Sequence, residues 1–156
     1  MDKDMKVFLR FKESWRRIDN LYDLYAKSVG LNFTAILVLE LLCEPGVHTQ
    51  KELAKKLGLP KQLINTIITS FWKQSYVKLK EGKDRRNKEI RFTNKGTEYA
   101  ESVLLPMQEM DCKALETFTA DEMISFIAMT EKYEKSYEML LEDYMRESEN
   151  TSRKEV

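Results

Sequence analysis

Two short amphipathic helices, joined by a glycine turn and followed at once by two alternating strands, constrain the fold of this chain most strongly. Residues 49–52 read Thr-Gln-Lys-Glu, a capping-box pattern that opens a helix ending at Gly58. The next helix begins near Pro60 and runs to about Gln74, with its apolar residues on one side. A tight turn between two such helices predicts a helix-turn-helix. Its inward residues are Leu53, Ala54, Leu57, Leu63, Ile64, Ile67, Ile68 and Phe71.

The segments after this pair change from helical to strand periodicity. Residues 76–80 and 89–93 alternate between apolar and polar side chains, and the polar stretch between them is turn-forming. A hairpin placed directly after a helix-turn-helix predicts a winged helix.

Long helices are predicted on both sides of this unit. Aromatic and aliphatic residues recur at spacings of three and four in residues 4–29 and again in residues 123–144. Between the first of these helices and the helix-turn-helix, Asn32 is expected to cap an apolar, buried helix that ends near Cys43. Thr93 is expected to cap a helix that Pro106 kinks or breaks, and residues 119–122 form a second capping box.

The predicted fold class is therefore mainly α with a small β-hairpin: a winged helix-turn-helix domain plus terminal dimerisation helices. We assign residues 31–96 to the winged helix-turn-helix and residues 1–30 and 97–147 to a helical dimerisation region. Residues 148–156 are polar, and we expect a flexible tail there.

The charge of the chain is strongly segregated although its net value is zero. Residues 49–96 carry 13 basic and four acidic side chains, a net charge of +9, whereas residues 97–156 carry six basic and 15 acidic ones, a net charge of −9. A basic segment beside an acidic one attracts phosphate on one part of the molecule only. A solvated surface of mixed charge is the plainer interpretation.

The helix that starts near Pro60 is the candidate recognition helix. Its polar face offers carboxamide, hydroxyl and ammonium groups, which pair with base edges or phosphates in the major groove. The alternative is an ordinary amphipathic surface helix. The candidate DNA contacts are Lys61, Gln62, Asn65, Thr66 and Thr69.

The hairpin tip is the second candidate contact. Four basic residues and one acid crowd a short turn, and an arginine on a thin hairpin can enter the negative minor groove of A·T-rich DNA. A solvated charged turn is the alternative. The candidate residues are Lys83, Asp84, Arg85, Arg86 and Lys88.

Residues 84–96 resemble the wing signature of the MarR family of transcription factors. That signature has Asp, any residue, Arg, then an apolar strand ending in Leu-Thr and a Gly three residues later; Phe92 stands here in the Leu position and Gly96 in the Gly position. Two further positions depart from the family pattern. Ser75 stands where a Gly commonly follows the recognition helix, and Thr66 stands where an Arg is frequent.

The resemblance implies a homodimer that binds double-stranded DNA, and the two apolar seams favour the same assembly. It also implies release of DNA by a small aromatic or phenolic effector. Such a pocket is expected to be lined by Trp15, Tyr22, Tyr25 and Phe33, which are otherwise core and interface aromatics.

Other functions find little support in the sequence. One His and two distant cysteines offer no metal site, and there is no phosphate-binding glycine loop or catalytic constellation, so we expect no cofactor and no enzyme activity. No segment has the length and apolarity of a membrane span, and a cytoplasmic location is expected. The remaining alternative is a winged-helix module that binds protein instead of DNA.

Overall fold

The computed structural model describes residues 3–46, 48–81 and 88–154, with side chains described over residues 4–46, 48–81 and 88–148. Contacts divide the chain into one unit over residues 1–109 and a second over residues 110–156. The helices are α1 (Lys3–Ser28), α2 (Phe33–Cys43), α3 (Gln50–Leu57), α4 (Lys61–Lys73), α5 (Asn94–Leu115) and α6 (Ala120–Lys154). The strands are β1 (His48–Thr49), β2 (Val77–Lys80) and β3 (Glu89–Phe92).

Helix ends in the first unit lie where their capping residues predict them. The Asn32 side chain accepts a hydrogen bond from the Ala35 amide, and α2 follows. Thr49 and Glu52 form the complete capping box of α3, which ends at Gly58 with a left-handed φ of 63°. Pro60 is the N-cap of α4 and precedes its first turn. Because such caps satisfy the backbone N–H groups that a helix leaves unpaired, they fix boundaries locally.

The core of the first unit joins α2, α3, α4, the sheet and α5. Its largest fully buried side chains are Phe71, Ile36, Leu39, Leu53, Ile64, Ile68 and Ile90. α2 is the most enclosed helix, as its apolar composition predicts, although its last residue, Cys43, is exposed and not buried as expected. Leu63, also expected inside, is 39% exposed.

The sheet has three strands in the order β1-β3-β2, all antiparallel. β2 and β3 form the predicted hairpin, with Leu79 opposite Ile90 and Val77 opposite Phe92. β1 adds a short edge on the other side of β3, with His48 opposite Ile90. The sequence did not predict this edge, because two residues are too few to show alternation.

α5 runs through Pro106 without a break, so a break at this residue is wrong, whereas a kink there stays a prediction. In the second unit, the Thr119 hydroxyl accepts from the Glu122 amide and the Glu122 carboxylate accepts from the Thr119 amide, which confirms the second capping box. α6 continues to Lys154, into the segment whose flexibility stays a prediction.

The two apolar seams are largely exposed within one chain. In α1, Phe8 is 52%, Trp15 48% and Ile18 50% exposed, whereas Tyr22, Tyr25 and Val29 near its end pack against the core of the first unit. In α6, Phe126, Tyr133, Tyr137, Leu140 and Tyr144 are all exposed. Such contiguous apolar surface on a protomer is typical of an interaction face.

Among the described residues, no single helix has the length and apolar character needed to cross a membrane. Residues 4–28 and α2 together have the length and apolar composition of a span, but the two helices meet at a bend of 82°.

Candidate nucleic-acid interface

α4 has one buried apolar face and one exposed polar face, which is what a recognition helix requires. Ile64 is fully buried, and Ile67, Ile68 and Phe71 lie beside it in the core. The opposite side presents the polar residues that the sequence singled out. Lys61, Gln62, Asn65 and Thr66 are exposed, and Thr69 is half-buried.

Hydrogen bonds within the protein leave Thr66 and Asn65 with different groups available to DNA. The Thr66 hydroxyl donates to the Gln62 carbonyl oxygen at 3.0 Å, within its own helix. Its only proton is therefore used, and Thr66 offers DNA an acceptor and a methyl group. The Asn65 side chain is different, because its Oδ1 accepts from Nε2 of Gln50, the first residue of α3, at 3.1 Å.

The end of α4 turns into β2 through a residue in a left-handed conformation. Ser75 has a φ of 61°, the one positive φ recorded for a non-glycine among the described residues. Its amide donates to the Trp72 carbonyl oxygen, and the next amide, that of Tyr76, donates to the Phe71 carbonyl oxygen, both at 2.9 Å. A left-handed residue after a helix is the usual place of a glycine. The departure at Ser75 therefore leaves the turn intact and adds backbone strain.

The start of β2 is fastened to the start of α5 around one carbonyl oxygen. The Tyr76 carbonyl accepts from the Thr93 amide at 2.9 Å, and the Thr93 hydroxyl donates to the Ser75 carbonyl oxygen at 2.7 Å, with the Tyr76 oxygen 3.2 Å away. The same hydroxyl accepts from the Gly96 amide at 3.0 Å and so caps α5, as predicted. A Cβ on Gly96 would lie 1.8 Å from the Tyr76 oxygen, so only glycine permits this approach. The glycine of the wing signature is thus a packing requirement.

A lysine and two stacked rings complete this junction. Lys95 donates from Nζ to the Gln74 carbonyl oxygen at 2.9 Å, at the C-terminal end of α4, and Nζ lies 5.0 Å from the ring centroid of Tyr76. The Tyr76 ring stacks on Tyr99 at a centroid distance of 4.0 Å. A cation at a helix C-terminus is favourable, and its position over an aromatic ring adds a second attraction. Nothing in the sequence predicted these contacts.

The tip of the hairpin lies outside the described residues. This applies to Lys83, Asp84, Arg85 and Arg86, whose contact with DNA stays a prediction. Lys88 is described and is exposed directly before β3. Exposed basic side chains also lie on the strands themselves, at Lys78, Lys80 and Arg91, and Arg91 pairs with Glu89 at 3.0 Å.

The four aromatic residues proposed for an effector pocket have different surroundings. Tyr22 stacks on Phe33 with ring centroids 5.1 Å apart, and the Tyr25 hydroxyl donates to the Val103 carbonyl oxygen at 2.5 Å. These three pack against the core of the first unit. Trp15, 48% exposed, lies 5.9 Å from the Phe11 ring on the same helix. The structure therefore brings three of the four to one core, and a ligand there stays a prediction.

The surroundings of Cys43 and His48 favour neither a reactive thiol nor a metal ligand. Desolvation, followed by the charges of Glu101 and Glu40, raises the pKa of the Cys43 thiol, which disfavours the reactive thiolate. His48 is buried, with Nε2 2.8 Å from the Glu44 carbonyl oxygen. No cluster of three or more potential metal ligands occurs in the part of the chain described above.

Comparison with known families and structures is consistent with this geometry. The sequence model of the MarR family matches residues 29–87. A MarR family regulator from Neisseria meningitidis, NMB1585, is similar over 92% of this chain and 99% of its own, with 25% identity and a TM-score of 0.72. Comparison with curated proteins gives no match.

Two further solved structures share the fold at lower identity. A MarR/EmrR family transcriptional regulator from Acinetobacter sp. ADP1 has 16% identity and a TM-score of 0.69, covering 89% of this chain and 99% of its own. The PcaV transcriptional regulator from Streptomyces coelicolor, solved with its natural ligand, has 17% identity and a TM-score of 0.63, covering 77% of this chain and 88% of its own.

Proposed function

We propose that this chain, which matches the MarR family model over residues 29–87 and shares the winged-helix fold of MarR family regulators, is a sequence-specific DNA-binding repressor. In this proposal it acts as a homodimer on a pseudo-palindromic operator. One observation carries the proposal: α4 is anchored by a fully apolar buried face and presents outward a row of uncharged hydrogen-bonding groups, with Lys61 and Lys73 at its two ends. Such a face matches the donors and acceptors of base edges in the major groove.

The charge distribution supports DNA over a protein partner. The segment from residue 49 to residue 96 holds the helix-turn-helix and the hairpin and has a net charge of +9. Basic side chains are exposed on β2, on β3 and at Lys88. Neutralising phosphates releases counterions, which makes affinity fall steeply with salt.

The exposed seams of α1 and α6 support the homodimer. Large apolar side chains such as Phe8, Ile18, Tyr137 and Tyr144 are half or more exposed in a single chain, and a two-fold partner would bury them. In a two-fold dimer the two copies of α4 enter successive major grooves. The half-sites of the operator then lie about 10 bp apart, centre to centre.

We also propose that a small aromatic effector releases the DNA. The half-buried rings of Tyr22 and Phe33, which stack on each other, and the Tyr25 hydroxyl, which donates to Val103 and can still accept a hydrogen bond, are the groups that such a ligand would contact. The related PcaV regulator has been solved with its natural ligand. Binding of aromatic acids, followed by the fluorescence of Trp15 and Trp72, tests this part; ligands that bind without changing DNA affinity would contradict it.

The function is tested by selecting bound duplexes from a random library at two salt concentrations. We expect an A·T-rich pseudo-palindrome and an affinity that decreases with salt. Arg86→Ala should weaken binding to every sequence, whereas Lys132→Ala, which removes an exposed charge from α6, serves as the matched control and should not. Binding without sequence enrichment, or no binding, would contradict the proposal and favour an architectural or protein-binding role.

A further inference from the structure

We infer that Gln50 is a positioning residue for base recognition: it holds the Asn65 carboxamide so that the two residues recognise an adenine together. The inference rests on the proposed function, because it assigns a specific role within the same recognition surface. Gln50 is not on the recognition helix, and neither the family signature nor the polar face of α4 includes it.

The hydrogen bond between the two carboxamides is the observation behind this inference. Gln50 Nε2 donates to Asn65 Oδ1 at 3.1 Å, across the two helices of the helix-turn-helix. Gln50 is half-buried, whereas Asn65 is exposed on the polar face of α4. One end of the bond is thus held by the scaffold and the other faces the surface.

The scaffold fixes the Gln50 backbone strongly. Its neighbour Thr49 is both the last residue of β1 and the N-cap of α3, and the capping box with Glu52 is complete. Leu53, one turn further along α3, is fully buried. A side chain that projects from such a rigid position is well suited to orient another one.

The remaining groups of Asn65 select the base. A carboxamide oxygen has two lone pairs and its nitrogen two protons, so the contact with Gln50 leaves one lone pair and both protons of Asn65 available. Adenine presents one donor, N6–H, and one acceptor, N7, in the major groove, and an asparagine pairs with both at once. Because Gln50 Nε2 donates to the oxygen, a rotation of the Asn65 carboxamide that exchanges its oxygen and nitrogen loses this hydrogen bond unless the Gln50 carboxamide turns with it. The pair therefore favours adenine over guanine, which presents two acceptors.

The other side chains on this face are less suited to the same task. Thr66 has used its proton on the Gln62 carbonyl, and Thr69 is half-buried. Lys61 is a flexible cation without a lone pair and cannot accept from N6–H. Gln62 carries the same carboxamide, but among the described residues of this face it is Asn65 whose carboxamide is held by a second side chain.

The experiment is a double-mutant cycle on the full-length protein with the operator recovered by selection. Gln50→Met keeps the length of the side chain and removes its hydrogen bond, and Asn65→Ala removes the base contact. For each variant the affinity is measured for the operator and for versions in which each adenine is replaced in turn by guanine. Gln108→Met, the same replacement at an exposed site on α5, is the matched control.

We expect Asn65→Ala to lower discrimination at one adenine by roughly tenfold. Gln50→Met should lower it at the same adenine by about threefold to tenfold, with an unchanged affinity for random duplex and an unchanged unfolding midpoint. In the Asn65→Ala background, Gln50→Met should have no further effect. The control variant should match the wild type throughout.

The outcomes that would contradict this inference can be distinguished from those that would contradict the proposed function. If Gln50→Met leaves discrimination intact while Asn65→Ala abolishes it, the positioning role is wrong and the proposed function stands. If the effects of the two changes multiply, Gln50 contacts DNA independently and the inference is likewise wrong. If the wild type shows no sequence preference at all, the proposed function itself fails, and the inference fails with it.

Discussion

Replacing Gly96 with alanine is the sharpest test of the packing that joins the recognition helix to the wing. In an exposed helix this change is stabilising by about 1 kcal/mol, because alanine has the better helix propensity. Here the new Cβ would lie 1.8 Å from the Tyr76 carbonyl oxygen and 2.7 Å from the carbonyl carbon, both of them backbone atoms. Either β2 or the start of α5 has to move, and the sign of the effect should reverse.

The magnitude follows from what that movement disrupts. Overpacking costs about 1–3 kcal/mol. The Tyr76 carbonyl also accepts from the Thr93 amide, and a lost hydrogen bond costs about 0.5–1.5 kcal/mol. After subtracting the gain in helix propensity of about 1 kcal/mol, we expect Gly96→Ala to lower the free energy of unfolding by about 2 kcal/mol.

The measurement is urea unfolding followed by circular dichroism at one fixed protein concentration. Glu98→Ala, an exposed position two residues further along α5, is the control and should change the free energy of unfolding by less than about 0.5 kcal/mol. A Gly96→Ala protein as stable as the wild type would refute the close approach of α5 to the Tyr76 carbonyl. Loss of DNA affinity in a variant that is still folded would show that the same junction positions the wing.

Three further predictions concern the first unit. Ser75→Gly should raise the free energy of unfolding by about 0.5–1 kcal/mol, because glycine adopts a φ of 61° without strain; a destabilised variant in thermal unfolding would contradict this. Tyr25→Phe removes the hydrogen bond to the Val103 carbonyl and should lower the free energy of unfolding by about 0.5–1.5 kcal/mol, and an unchanged urea midpoint would count against that contact. In a Cys112→Ser background, Cys43 should be alkylated more slowly than free cysteine at pH 8 and faster as the pH rises, because its raised pKa keeps the thiol protonated. Glu101→Gln should accelerate the reaction, and equal rates for the two proteins would contradict the effect of that carboxylate.

Local signals in the sequence predicted most of the fold. The Asn32 cap, the capping boxes at Thr49 and Thr119 and the glycine stop at Gly58 are all found where they were expected. These features succeed because a cap and its partners lie within a few residues, so their hydrogen bonds do not depend on the rest of the chain. The alternation of the β2 and β3 segments was equally informative, since half of each strand faces the core.

Features that depend on distant contacts were missed or wrong. β1 exists because His48 and Thr49 lie beside β3, and nothing local marks two residues as a strand. Pro106 was expected to kink or break α5, and the helix continues past it without a break. The partnership of Gln50 with Asn65 spans 15 positions and requires the crossing of α3 and α4 to be known. In the candidate site, the exposed face of α4 was predictable. Which of its donors and acceptors are already used within the protein was not.

The exposed apolar seams of α1 and α6 also determine how stability has to be reported. If partner burial of side chains such as Phe8, Ile18 and Tyr144 completes the hydrophobic interior, folding and association are a single equilibrium, governed by mass action. The unfolding midpoint then rises with the logarithm of protein concentration, and dilution becomes a denaturing condition. A free energy of unfolding for this chain has meaning only beside the concentration at which it was measured.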